Sequence, residues 1–137
     1  MQSDSNANTQ VVLSYIALMN SRDPAQMAEA VALMADDATY WMPGEWANGG
    51  TWGKHDVAGM VMAGTDVFAT PLELTIHGIT ASGDRVAVEM ESQATFKDGR
   101  PYSNTYHSLF IVESGRIRAV KEYMDTLYAY RAYFGPI

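Results

Sequence analysis

Residues 102–126, YSNTYHSLFIVESGRIRAVKEYMDT, set an amide, phenols and a carboxyl among apolar neighbours at two-residue spacing. Read as two strands, this stretch puts Tyr102, Asn104, Tyr106, Ser108 and Phe110 on one face of the first and Val120, Glu122 and Met124 on one face of the second. Polar groups on a face that should be core either line a pocket or mark a wet surface. Glu122, between Val120 and Met124, is the leading candidate for chemistry. A carboxyl in that apolar setting keeps its proton to higher pH, because burial disfavours the charged form. It can then serve as a general acid or base near neutrality. The bland alternative is a surface glutamate paired with Lys121 or Arg118.

What faces Glu122 depends on the turn. A three-residue loop, Glu113, Ser114 and a left-handed Gly115, keeps Tyr106 or Ser108 on its face. A two-residue Ser114–Gly115 loop brings His107 opposite instead. The first is preferred, since it gives both strands one polar face, with Asn104 and Tyr106 able to hold a substrate oxygen or orient the acid. Glu89 and Glu91 also share a strand face, opposite Val86, Val88 and Met90. Turned inward, they would repel and one would hold a proton, giving an acid/base pair with Glu122; turned outward, they meet solvent. Tyr15 sits on a helical stripe, as core or as a donor to a developing oxyanion. His55, His77 and His107 lie far apart with no metal-ligand spacing, so no metal site is expected.

The rest of the chain must position these groups. Its 137 residues make one domain, and 47% hydrophobic with 18% charged residues is globular composition. A net charge of −7 argues against nucleic acid and anionic membranes, and the lack of cysteine excludes disulfides and thiolate nucleophiles. No targeting segment or membrane span is visible, so a cytoplasmic location is expected. Residues 1–8 read as a disordered tail and residues 9–137 as the domain. A first helix over residues 9–20 buries Val12, Tyr15, Ile16 and Met19. Asp23 and Pro24 start a second helix as N-cap and first helical residue. A short strand ATYWM and a Gly/Trp loop precede a third helix over residues 54–68. Four long strands follow, then an aromatic tail. This order predicts an α+β fold with helices on one face of a mostly antiparallel sheet. Trp41, Met42, Trp46, Trp52, Met60, Tyr102, Ser108, Val120, Met124 and Tyr130 are the expected pocket lining.

Helix, helix, MADDATYWMPG, the Gly/Trp loop, helix, and strands ending in GRIRAVKEYMDT resemble the nuclear-transport-factor-2-like superfamily. Within it the chain is most similar to SnoaL-like polyketide cyclases, with limonene-epoxide hydrolase and ketosteroid isomerase as cousins. The resemblance implies a cone-shaped curved sheet around a deep apolar pocket closed by three N-terminal helices. It also implies a homodimer formed through the outer sheet face, with no cofactor. The catalytic aspartate of the cyclases and epoxide hydrolases falls on Glu122, an acid with about 1.5 Å more reach. The second epoxide-hydrolase motif falls on Glu89, Met90 and Glu91, or one residue on, at Met90 and Ser92; its arginine has no match. The isomerase oxyanion tyrosine falls on Tyr15, its base on Met42, and its protonated acid near His107 or Ser108. Cyclase residues facing the acid fall on Tyr106 and Ser108. The resemblance therefore implies a cofactor-free acid/base enzyme for a small apolar, oxygen-bearing polyketide, terpenoid or steroid-like substrate. Two rivals stand beside it. One is a non-catalytic ligand- or partner-binding domain; the other is an epoxide hydrolase with a Glu89–Glu91–Glu122 triad.

Overall fold

A computed structural model describes residues 2–21 and 23–135. Helices α1 (Gln2–Met19) and α2 (Pro24–Ala32) lead into β1 (Met34–Met42), β2 (Gly50–Gly53) and α3 (Lys54–Val67). Strands β3 (Phe68–Ser82), β4 (Arg85–Phe96), β5 (Pro101–Glu113) and β6 (Arg116–Met124) follow, and α4 (Thr126–Phe134) ends the chain. Among the described residues the strands form one open sheet in the order β2-β1-β6-β5-β4-β3. All pairings are antiparallel except β1 with β6. Register shifts in β3, β1 and β6 are the irregularities that let long strands bend around a core.

Strand alternation decides the two faces. Val86, Val88, Met90, Ser92, Ala94 and Phe96 of β4 are all buried, and so are Phe110, Val112, Ile117 and Val120 of β5 and β6. Against this inner face lie Val12, Tyr15 and Ile16 of α1, at the helical spacing that forms one stripe. Asp23 caps α2 by accepting from the Ala25 amide at 3.2 Å, and Pro24 opens it. A second cluster, Phe68, Ala94, Phe96 and Tyr102, fills the other end of the sheet.

Several boundaries differ from the sequence reading. The expected tail is helical from Gln2, and the buried Asn8 donates to the Gly83 carbonyl at 3.0 Å, which ties α1 to the β3–β4 turn. Residues 1, 136 and 137 of the two chain ends lie outside the described residues. The Gly/Trp loop contributes a strand, β2, and the aromatic tail a fourth helix, capped by Asp125, whose carboxylate accepts from the Tyr128 amide at 2.9 Å.

Candidate active site

The last hairpin places the acid. Its turn is the two-residue Ser114–Gly115 form, with φ of 53° and 76°. Alone it would set His107 against Glu122. A register shift follows, between the Val112↔Ile117 and Ile111↔Ala119 pairs, leaving Arg118 unpaired as a bulge. The extra residue restores the other register: Ser108 lies opposite Glu122, Tyr106 opposite Met124, and His107 opposite Tyr123 on the outer face. The preferred neighbours are thus present, brought there by a bulge and not by a three-residue loop.

Glu122 is half-buried on the inner face. Its Oε1 accepts a 2.5 Å hydrogen bond from the Tyr40 hydroxyl. Burial pushes its pKa up from 4.5 to about 7, and the Tyr40 bond, which favours the carboxylate, pulls partly against that rise. No described cation pairs with it. The groups that sense its charge are phenols, Tyr15, Tyr40, Tyr102, Tyr106 and Tyr133, and burial first and foremost raises the pKa of each. At neutral pH they are uncharged hydrogen-bonding groups.

Three polar atoms here have no hydrogen-bond partner among the described residues. Ser108 Oγ is fully buried. Glu122 Oε2 and the Tyr15 hydroxyl keep some accessible surface. Tyr15 is otherwise enclosed, edge-on to Phe110 at 5.8 Å. Glu122 Oε2 and the Tyr15 hydroxyl, each without a hydrogen-bond partner among the described residues, are an acceptor and a neutral donor on this inner face.

Tyr40 was missed by the sequence reading. Its signal was the alternation in β1: Ala38 and Met42 are buried on the face that also bears Tyr40. The same alternation corrects Trp41, expected in the pocket. It lies on the outer face, edge-on to Tyr123 at 5.2 Å. Trp52 is the cross-strand partner of Tyr40 and shares its face, its indole donating to the Asn48 carbonyl at 3.0 Å. Trp46 turns back on its own loop, donating to the Pro43 carbonyl at 2.8 Å.

Glu89 and Glu91 are also corrected. They lie on the outer face, because Val88, Met90 and Ser92 take the inner one. Glu89 is exposed, and Glu91 lies 3.4 Å from His77. No triad with Glu122 can form across the sheet. Asn104 is on the inner face but its amide is fully engaged. It donates to the Tyr102 hydroxyl and the Asp125 carbonyl, each at 3.1 Å, and accepts from the amides of Thr105 at 2.8 Å and Asp125 at 3.2 Å. It latches the start of α4 and has no donor left for substrate. Tyr106 shares a 2.8 Å hydrogen bond with Ser92. Tyr102 belongs to the aromatic cluster with Phe68 and Phe96. Val120 and Met42 are buried, Met60 and Met124 half-buried, and Tyr130 packs on Phe134 within α4. Surface hollows of about 460 and 540 Å³ lie at the far end, around Ser114 and Gly115, and belong to no part of this cluster. Among the described residues no group of three His, Cys, Asp or Glu could hold a metal ion.

A family model described as the SnoaL-like domain matches residues 12–120. The chain belongs to the SnoaL-like family. No curated protein matches this SnoaL-like chain in sequence. Solved structures match it over most of its length. An NTF2-like protein from Burkholderia xenovorans is 25% identical, with a TM-score of 0.72, covering 93% of this chain and 96% of that one. A candidate polyketide cyclase from Xanthomonas campestris is 20% identical, with a TM-score of 0.75, covering 90% and 93%. A LEH-like epoxide hydrolase from M. tuberculosis is 19% identical, with a TM-score of 0.69, covering 89% and 85%. The last two likenesses are of fold. No helix among the described residues is long and apolar enough to cross a membrane.

Proposed function

We propose that this SnoaL-like domain is a cofactor-free acid/base enzyme, of cyclase or isomerase type, for a small, mostly apolar substrate bearing a carbonyl or hydroxyl oxygen. The observation that carries the reading is Glu122, a carboxyl with a pKa raised to about 7 and one unbonded oxygen, on an inner sheet face. Near neutrality such a group is present in both forms, which suits repeated proton exchange. As carboxylate, Glu122 takes a proton from a carbon next to the substrate carbonyl through Oε2. The charge that develops on the carbonyl oxygen meets the unbonded hydroxyl of Tyr15. The protonated acid then returns the proton elsewhere on the substrate, and no other reactant is consumed. An uncharged substrate fits a cluster whose ionisable partners, among the described residues, are neutral phenols.

The absence of a Glu89–Glu91–Glu122 arrangement removes the support for a rebuilt epoxide-hydrolase triad. A binding domain of the same fold is the second reading, favoured by the internal engagement of Asn104 and Tyr106. Pairing of two copies through the outer face, where Tyr123 is 45% exposed beside Trp41, belongs to the same proposal. The test is a turnover screen of polyketide, terpenoid and steroid-like ketones with the parent chain and Glu122→Gln. The enzyme reading expects turnover that falls at least about a hundredfold in the variant while ligand still binds. Ligand binding without turnover in the parent supports the binding domain instead.

A further inference from the structure

The two oxygens of Glu122 are not equivalent. Oε1 accepts from Tyr40, while Oε2 is unbonded and retains accessible surface. Tyr40 comes from a separate strand, β1, and is braced on both sides. Trp52 stands across from it on β2, itself tied to Asn48. On the other side β1 runs parallel to β6, with Tyr40 beside Val120, so the phenol reaches one inward step along β6 to Glu122.

We propose that Tyr40 is the positioning residue of this site: it pins Oε1 and leaves Oε2 as the one oxygen offered to the ligand. The inference rests on the acid/base reading of Glu122 and adds what holds that acid ready. Two effects oppose each other there. Burial favours the protonated form, and a donated hydrogen bond favours the carboxylate. The titratable groups facing Glu122 are Tyr15 from α1, Tyr40 from β1, Tyr102 and Tyr106 from β5, and Tyr133 from α4. Of these, Tyr40 alone among the described residues donates to the carboxyl. Without that bond nothing offsets desolvation, and the acid stays protonated when a base is needed.

The test follows the Glu122 carboxyl by carbon-detected NMR through a pH titration of the full chain. Tyr40→Phe keeps the ring and removes the donor, and its Glu122 midpoint is expected to rise by about one pH unit or more above the parent. Trp41→Phe, on the outer face of the same strand, keeps the phenol and should titrate near the parent value, which separates loss of the donor from general loosening. Should Tyr40→Phe not fold, 3,5-difluorotyrosine at position 40 keeps the shape and strengthens the donor, so the midpoint should fall. A raised parent midpoint that ignores both changes at position 40 overturns this inference and leaves the acid/base reading standing. A parent midpoint at the ordinary carboxylate value overturns both.

Discussion

At the scale of single residues, the site is defined by which polar atoms have partners. Ser108 Oγ lies opposite Glu122, fully buried and without a hydrogen bond. Leaving a buried hydroxyl unsatisfied costs roughly 1–3 kcal/mol. Ser108→Ala should therefore stabilise the fold, by about 1 kcal/mol, read as a higher denaturation midpoint. Asn104 is the opposite case, with four hydrogen bonds and no exposure to spare. Asn104→Ala strands the amide of Asp125, whose carbonyl keeps the Ala129 amide, and should cost about 2 kcal/mol. It should also speed hydrogen exchange in the first turn of α4 more than in α1. The inward position of Glu122 was legible from its apolar neighbours, while its choice as the acid also drew on the family resemblance. Tyr40 was harder to read: its alternation with Ala38 and Met42 carries the signal, but aromatic residues crowd the stretch YWMPGEW, and the pairing of β1 with β6 is what brings that ring to the acid.

At the scale of elements, small irregularities aim the site. The bulge at Arg118 is one residue, yet it decides whether Ser108 or His107 meets Glu122. The sequence shows the Ser-Gly turn but not the bulge. A bulge is fixed by how two strands pair over their whole length, and no local residue type announces it. The same limit explains Glu89 and Glu91: their alternation was plain, but which face turned inward depended on where α1 packed. The loop between β1 and β2 is set by contact and not by hydrogen bonds alone. A Cβ on Gly49 would stand 2.1 Å from the Gly44 carbonyl oxygen, backbone against backbone. Gly49→Ala should therefore displace the loop and shift the fluorescence of Trp46, which wraps the same turn at 3.0 Å. Unchanged emission and stability would show that the loop does not rely on this close approach.

At the scale of the whole molecule, the buried acid ties folding to pH. The folded pKa of Glu122, about 7, lies above its ordinary 4.5, so between these values the folded chain keeps a proton that the unfolded chain has lost. Stability from this group is full below about pH 4.5, declines as pH rises, and levels off above 7, a loss on the order of 3 kcal/mol. Glu122→Gln, neutral throughout, should flatten that decline in thermal denaturation between pH 5 and 7. The α+β architecture and the order of its long strands were legible because the central strands β4 and β5 carry a clean two-residue alternation. The fourth helix and the short β2 strand were harder to read, since both are short and are held by tertiary contacts, not by a long local pattern. Every scale converges on one group, and the most direct measurement is the NMR titration of the Glu122 carboxyl in the parent chain, with Glu122→Gln to assign the signal. A midpoint near 7 is the predicted result. A midpoint near 4.5 would mean a solvated carboxylate and would contradict the acid/base site.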